Sequence, residues 1–449
     1  MPKIHPPGPR GYFFLKASAL QHHPIETLGA LWREYGDLVR LPIMPGLTFY
    51  LAAHPEYAEH ILSTHHERYG KPDRLLKSMG LVQGRGLFTS EGEFWRHNRR
   101  LIQPAFHHRQ LHHFHDVIRQ CIDSLLQEWA QKPAGDIIDI AAEMTRLTLK
   151  IVGLALFSVD ISDDANALGK ALRTSIEYVY YRMATPLPLP IDIPTPRNRH
   201  FRQAKRTIDQ VVQSLIQSRR QNPTQQHDLL AMLLAAQDEE TGQGMSDRQL
   251  QDEVITLINA GHETSATTLA WTWHLLGSHP DVMAAMTEEV QTMLNGHPLT
   301  YETLPKLQYT RRVLDESLRL RPPGLALMRQ ATEDDEIQGY YIPKGANCIV
   351  GQYFILRHPD FWENPEQFDP DRFLPEQVAN RPKFAYLPFG AGPHVCIGKN
   401  LALMELIMIL AGIIQRFHVD LVPGQIIEVD PRFTLRPKGG LKVRVRARE

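Results

Sequence analysis

The chain has 449 residues, 43% of them hydrophobic, a formal net charge of −1 and a pI near 7.1. That balance argues against a nucleic-acid partner and against an acidic tail, and the length suffices for about two or three domains or one large core. Three cysteines, Cys121, Cys348 and Cys396, exclude a disulfide framework and suit a reducing compartment.

The N-terminus, MPKIHPPGPRGYFFLKASAL, carries no apolar run long enough for a signal peptide or a membrane span. A soluble, cytoplasmic protein is expected. PPGPRG reads as a stiff extended lead-in. GDLVRLPIMPGLTFYLA predicts strands or a hairpin, within a β-containing region of about residues 35–55, and HPEYAEHILS has helical spacing. From Glu91 to about Leu320 the pattern is helical with interruptions. IIDIAAEMTRLTLKIVGLALF and FRQAKRTIDQVVQSLIQSRRQ are predicted helices, and the five prolines in YVYYRMATPLPLPIDIPTPRNRHF predict an apolar loop between them. SDRQLQDEVITLINAGHETSATTLAWTWHLLGSHP predicts one helix of roughly 30 residues from a Ser N-cap to His-Pro, apolar on most faces and so routed through the core. EIQGYYIPKGANCIV and the terminal RFTLRPKGGLKVRVR read as β-hairpins. No repeat or linker interrupts the chain, so residues 1–449 are expected to form a single, mainly α domain with small β-sheets.

One cysteine stands in a setting of its own. In PFGAGPHVCIGKNLALME, a tight glycine-rich loop precedes Cys396 and a helix follows it. Backbone N–H groups at such a place stabilise a thiolate, while Gly392 and Gly398 let a flat, bulky group approach the backbone. On these grounds a nucleophile, a metal ligand and a buried small thiol all remain possible, whereas Cys121 and Cys348 read as structural. Four other stretches carry candidate groups. AGHETS places Glu263 beside Thr264 in the long helix, after Ala260 and Gly261; DESLRL puts Glu316 and Arg319 on one helix face; FDPDRF contains Arg372; and EFWRHNRRLIQPAF puts Trp95 and Arg99 one turn apart. FHHRQLHHFHDV holds five histidines, of which His108 and His112 have helical ligand spacing, but no Cys or carboxylate completes a metal set.

Phe389, Gly392, Cys396 and Gly398 form F-x-x-G-x-x-x-C-x-G, which resembles the haem-binding loop of the cytochrome P450 family; the other motifs follow the family's order over nearly the whole chain. The resemblance implies the P450 fold, haem b (iron protoporphyrin IX) with Cys396 as the axial iron ligand, and insertion of one atom of dioxygen into an organic substrate. It implies that Glu263 and Thr264 form a distal acid–alcohol pair, with a backbone gap at Ala260–Gly261 for the oxygen. It also implies that Glu316, Arg319 and Arg372 make a structural triad, and that Trp95, Arg99, Arg329 and His394 face the haem propionates. His394 stands where many members have Arg, so its charge depends on pH. No reductase follows the last strand run, which implies a separate ferredoxin or flavodoxin with an NAD(P)H-dependent reductase. Pocket walls are expected from Tyr181, Met183, Leu187 and Leu189, from Leu325, Ala326, Leu327 and Met328, and from Phe433, with Arg182 the one cation at hand. They suggest a lipophilic substrate, a fatty acid or terpenoid. A peroxide-driven peroxygenase of the same fold and a haem-based binding or sensing protein are the alternatives.

Overall fold

The computed structural model describes residues 3–12, 17–160, 165–185, 188–221, 228–237 and 242–448. In chain order, the elements that matter here are α1 (Pro24–Tyr35), β1 (Leu38–Met44), β2 (Leu47–Ala52), α2 (Asp73–Gln83), α3 (Gly92–Ile102), α4 (His108–Ala130) and β3 (Ile137–Asp139). There follow α5 (Ile140–Phe157), α6 (Ala165–Ala184), α7 (Pro196–Gln221), α8 (Asp247–Ser278) and α9 (Gln308–Leu320). The last part carries β4 (Leu327–Ala331), β5 (Asp335–Ile337), β6 (Tyr340–Ile342), β7 (Asn347–Val350), α10 (Lys399–Arg416), β8 (Phe417–Leu421) and β9 (Lys442–Ala447). The mainly α expectation holds.

The chain divides into two compact units. The first comprises residues 1–73, 315–396 and 429–436. Its sheet runs β1-β2-β7-β4 and ends on a short strand at Tyr69–Gly70. β1 and β2 form the predicted hairpin, with Leu38 opposite Ala52. β5 and β6 form the second one, turning through Gln338 and Gly339, both at positive φ as a tight hairpin requires. One apolar cluster of this unit packs Leu28, Leu31, Val39, Leu41 and Phe354, so α1 covers one sheet face because Leu28 and Leu31 lie on one helix side.

The second unit comprises residues 74–314, 397–428 and 437–449. Its axis is α8, 32 residues long against a usual mean of about 11–12. Ser246 caps it, its Oγ accepting from the Gln249 N–H at 3.3 Å, and the helix stops before Pro280 as predicted. α8 packs along α5, and α6 along α7. Two predicted boundaries shift. α5 starts only at Ile140, because Asp139 caps it with Oδ1 accepting from Ala141 and Ala142, and Ile137–Asp139 is a strand. α6 runs on to Ala184, since no proline interrupts it before Pro186, so the proline-rich loop starts later than its composition suggested. The terminal hairpin is a correction: β9 pairs with β8 and β3, not with the segment before it. The Gly439–Gly440 turn, both at positive φ, redirects the chain onto Asp139, whose Oδ1 accepts the Leu441 N–H at 3.1 Å. Among the described residues, no helix is long and apolar enough to cross a membrane.

Candidate active site

Burial separates the three cysteines. Cys121 and Cys348 are buried, and desolvation pushes both thiols up to about 12, so neither is a thiolate near neutral pH. Cys396 is exposed. It closes a loop in which its own N–H donates to the Phe389 carbonyl at 3.0 Å, and Val395 N–H donates to Gly392 at 3.1 Å. Gly392 has φ +68°, and a Cβ on it would stand 1.7 Å from the Leu62 carbonyl oxygen. Only glycine lets the turn pass over residues 60–64. The loop from Phe389 to Gly398 is partly exposed although apolar at Phe389, Val395 and Ile397, a surface that water alone covers poorly.

The rest of the first unit supports that loop. Glu316 and Arg319 are fully buried and paired twice, Nε to Oε2 at 2.6 Å and Nη2 to Oε1 at 2.8 Å. Arg319 also donates to the carbonyls of Leu356, Pro365 and Gln367, so its donors are spent inside the fold. Arg372 Nε stands 3.5 Å from Glu316 Oε1. The three expected triad residues therefore meet. Tyr386 ties the segment before the loop to α9, its hydroxyl donating to Asp315 Oδ1 at 2.9 Å. Arg329 is buried on β4, its Nη1 donating to the Met328 carbonyl at 2.9 Å, and His394 is half-buried in the loop turn. Leu325 to Met328 are all half-buried; Leu327 Cδ1 comes within 3.6 Å of where a Gly390 Cβ would be. Leu435 N–H donates to the Pro323 carbonyl at 2.9 Å, which brings the segment of half-buried Phe433 beside that run.

In the second unit, α8 is buried along most of its length but opens at Ala260, Gly261, Glu263 and Thr264. The Thr264 hydroxyl donates to the Ala260 carbonyl at 2.8 Å, leaving its lone pairs to accept. The helix is continuous there, so the expected backbone gap is not a break in it. Gly261 answers a packing need: a Cβ would meet Val152 Cγ2 of α5 at 2.9 Å. Trp95 and Arg99 lie on α3, the indole buried and the guanidinium half-buried. Asn98 between them pins α3 to α8, its Nδ2 donating to Glu253 Oε1 at 2.7 Å. Gly398 precedes α10 at φ −84°, so it gives room and not a special conformation.

Several expected wall residues have other employment. Arg182 donates to the Leu189 carbonyl at 2.9 Å, and Tyr181 lies 4.0 Å beneath the Arg197 guanidinium. Met183 is half-buried, Leu189 is exposed, and Leu187 lies outside the described residues. Of the histidine run, His112 stacks on Tyr301 at 3.7 Å and His115 is buried beside Asp116, while the His108 side chain lies outside the described residues. Asp37, His54 and His358 place their polar atoms within 4.8 Å of one another, but both imidazole Nδ1 atoms accept backbone N–H groups, from Glu56 at 3.3 Å and Asp360 at 3.2 Å. That leaves each Nε2 carrying hydrogen, suited to donate to Asp37 and not to hold a cation.

Sequence reasoning passed over two groups. Glu405 is buried on α10, with Oε2 accepting from Ser265 Oγ at 3.0 Å and Oε1 without a partner; burial pushes its carboxyl up to about 8. Asn259 is buried one residue before the open stretch of α8. A polar residue inside the apolar runs LINAG and LALMELIMIL was the signal available for each.

The Cytochrome P450 family model matches residues 6–444. The chain belongs to the cytochrome P450 family. It is 36% identical over 407 residues to cyclooctat-9-en-7-ol 5-monooxygenase of Streptomyces melanosporofaciens, covering 90% of this chain and 87% of that protein. It is 31% identical over 437 residues to pentalenene oxygenase of Streptomyces avermitilis, covering 96% and 94%. The crystal structure of the haem domain of cytochrome P450DA superposes with a TM-score of 0.90 at 30% identity, over 100% of this chain and 98% of that one. The protein is thus a P450 monooxygenase, and the family implies a haem cofactor. Within the first unit the donors suit such a group: an exposed thiol in a loop backed by a buried ion pair, with the Arg329 guanidinium on the neighbouring strand.

Proposed function

We propose that this chain is a haem b monooxygenase acting on a cyclic terpenoid, with Cys396 as the iron ligand, and that its two units work as one catalytic domain in the cytoplasm. The observation that carries the ligand assignment is the contrast among the thiols, since Cys396 alone of the three is exposed. Bound haem would supply the dioxygen chemistry: with two electrons and two protons, dioxygen would give one oxygen atom to the substrate and one to water. Arg99, Arg329, Trp95 and His394 bind the propionates, as cations and hydrogen-bond donors do for carboxylates. Glu263 exchanges protons with solvent from its half-buried place, and Thr264 passes them on, accepting at an oxygen whose own hydrogen rests on Ala260. Electrons come from a separate ferredoxin or flavodoxin and its reductase. The relatives' names favour a terpenoid over a fatty acid, and the apolar, half-buried run Leu325 to Met328 supports a lipophilic substrate of either kind.

The test is Thr264→Ala. With NAD(P)H and a redox partner, product formation is expected to fall by about tenfold or more, with more hydrogen peroxide released per NAD(P)H consumed, while substrate still shifts the haem Soret band. Unchanged coupling of NAD(P)H to product would contradict the proton role. Turnover that runs only on added hydrogen peroxide would replace it with the peroxygenase reading.

A further inference from the structure

On α8, Asp252, Thr256, Asn259 and Glu263 recur at four, three and four residues, so they share one face of the helix. The first two are fully engaged. Asp252 Oδ2 accepts the Arg85 N–H at 2.8 Å, and the Thr256 hydroxyl donates to the Asp252 carbonyl at 2.8 Å. Loop residues press on them from outside: a Cβ on Gly86 would lie 2.1 Å from Thr256 Oγ1. One turn later the pattern breaks. Asn259 is 7% exposed, and neither its Nδ2 nor its Oδ1 has a hydrogen-bond partner. The next residues of the helix are the open ones, Ala260, Gly261, Glu263 and Thr264.

A buried amide with donor and acceptor both unmet is costly, and an apolar residue would fill the site at less cost. A partner from outside the chain resolves the conflict. We infer that Asn259 is a substrate-recognition residue, and that the substrate reaches this enzyme already carrying a hydroxyl group. A hydroxyl donates one hydrogen to Oδ1 and accepts one from Nδ2, so it meets both unmet atoms; a ketone meets Nδ2 alone and a hydrocarbon neither. Asn259 adjoins Ala260, the exposed residue at which the helix opens. The reaction supplying the substrate must therefore install an alcohol, either by an earlier oxygenation or by a cyclisation ended by water. This rests on the terpenoid reading above and narrows it.

The experiment titrates haem-loaded wild type and Asn259→Leu with cyclic sesquiterpene and diterpene alcohols, each paired with its parent hydrocarbon, following the Soret shift. Wild type is expected to bind at least one alcohol about tenfold more tightly than its hydrocarbon, the worth of one hydrogen bond, and Asn259→Leu to erase that difference while keeping hydrocarbon binding. The ligand-free variant is expected to melt no lower than wild type, since it loses an unpaired buried amide and no bond. Equal affinity for both members of every pair in wild type, or a preference that survives in Asn259→Leu, overturns the inference and leaves the terpenoid reading standing. A markedly lower melting temperature for the variant assigns the amide a partner within the fold and overturns it as well. If no terpenoid of either kind shifts the wild-type Soret band, the terpenoid reading itself falls, and the inference with it.

Discussion

At the scale of single residues, burial decides protonation. Glu405 keeps its proton because burial on α10 leaves it one hydroxyl partner, Ser265 of α8, so its carboxyl titrates near 8 instead of in the usual carboxylate range. The folded protein thus holds a proton that the unfolded chain releases near pH 4.5. Stability from this group is fully present below that pH and is lost as pH rises toward 8, by roughly 3–5 kcal/mol in all. Glu405→Gln, which keeps the shape and cannot ionise, is expected to flatten that part of the stability curve. Urea unfolding at pH 6 and pH 9 checks it: the variant should gain on wild type at the higher pH, and a constant difference would mean that Glu405 is already ionised. Asp335 shows the opposite balance. Burial raises its carboxyl, but His60, Tyr69 and Arg68 each donate at 2.7 Å, and together they hold it down at about 2.

Among the elements, the loop before α10 and the long helix α8 were legible from sequence for physical reasons. Glycine spacing marks where backbone must pass backbone, and Gly392 over Leu62 is such a place. A Ser cap, an apolar body and a His-Pro stop bound a helix without reference to anything distant. What stayed hidden was long-range. Nothing local in KVRVR says that its partners are β8 and β3, because strand pairing is settled by which edges are open. Nor can spacing reveal that Tyr181 would stack under Arg197 or that Asn259 would lack a partner. The loop yields its own prediction. Gly392→Ala forces a positive φ on a residue that disfavours it and a Cβ into the Leu62 carbonyl, so haem retention is expected to fall and the melting temperature to drop by several degrees. Haem content per protein after purification measures it; full occupancy at the wild-type melting temperature would show that the turn can relax.

Across the whole molecule, two compact units are fed by three chain segments each. Such interleaving, with α9 and the cysteine loop each running from one unit into the other, makes independent folding of either unit costly, since each would leave several chain ends to close. One cooperative transition is therefore expected when the haem-loaded protein is heated in a calorimeter, with calorimetric and van't Hoff enthalpies equal. Two resolved transitions would instead mean two domains. The fully buried Glu316–Arg319 pair belongs to this scale too, because it fixes carbonyls from Leu356 to Gln367 in one register and so the frame on which the loop rests.

The central claim is that Cys396, as a thiolate, is the iron ligand. The difference spectrum of the ferrous haem protein with carbon monoxide tests it most directly, recorded for wild type and for Cys121→Ala, Cys348→Ala and Cys396→Ala. The strongly red-shifted Soret band of thiolate-ligated haem is expected in wild type and in the first two variants, and its loss is expected in Cys396→Ala. Persistence of that band without Cys396, or its disappearance with either buried cysteine while haem is still bound, would contradict the account.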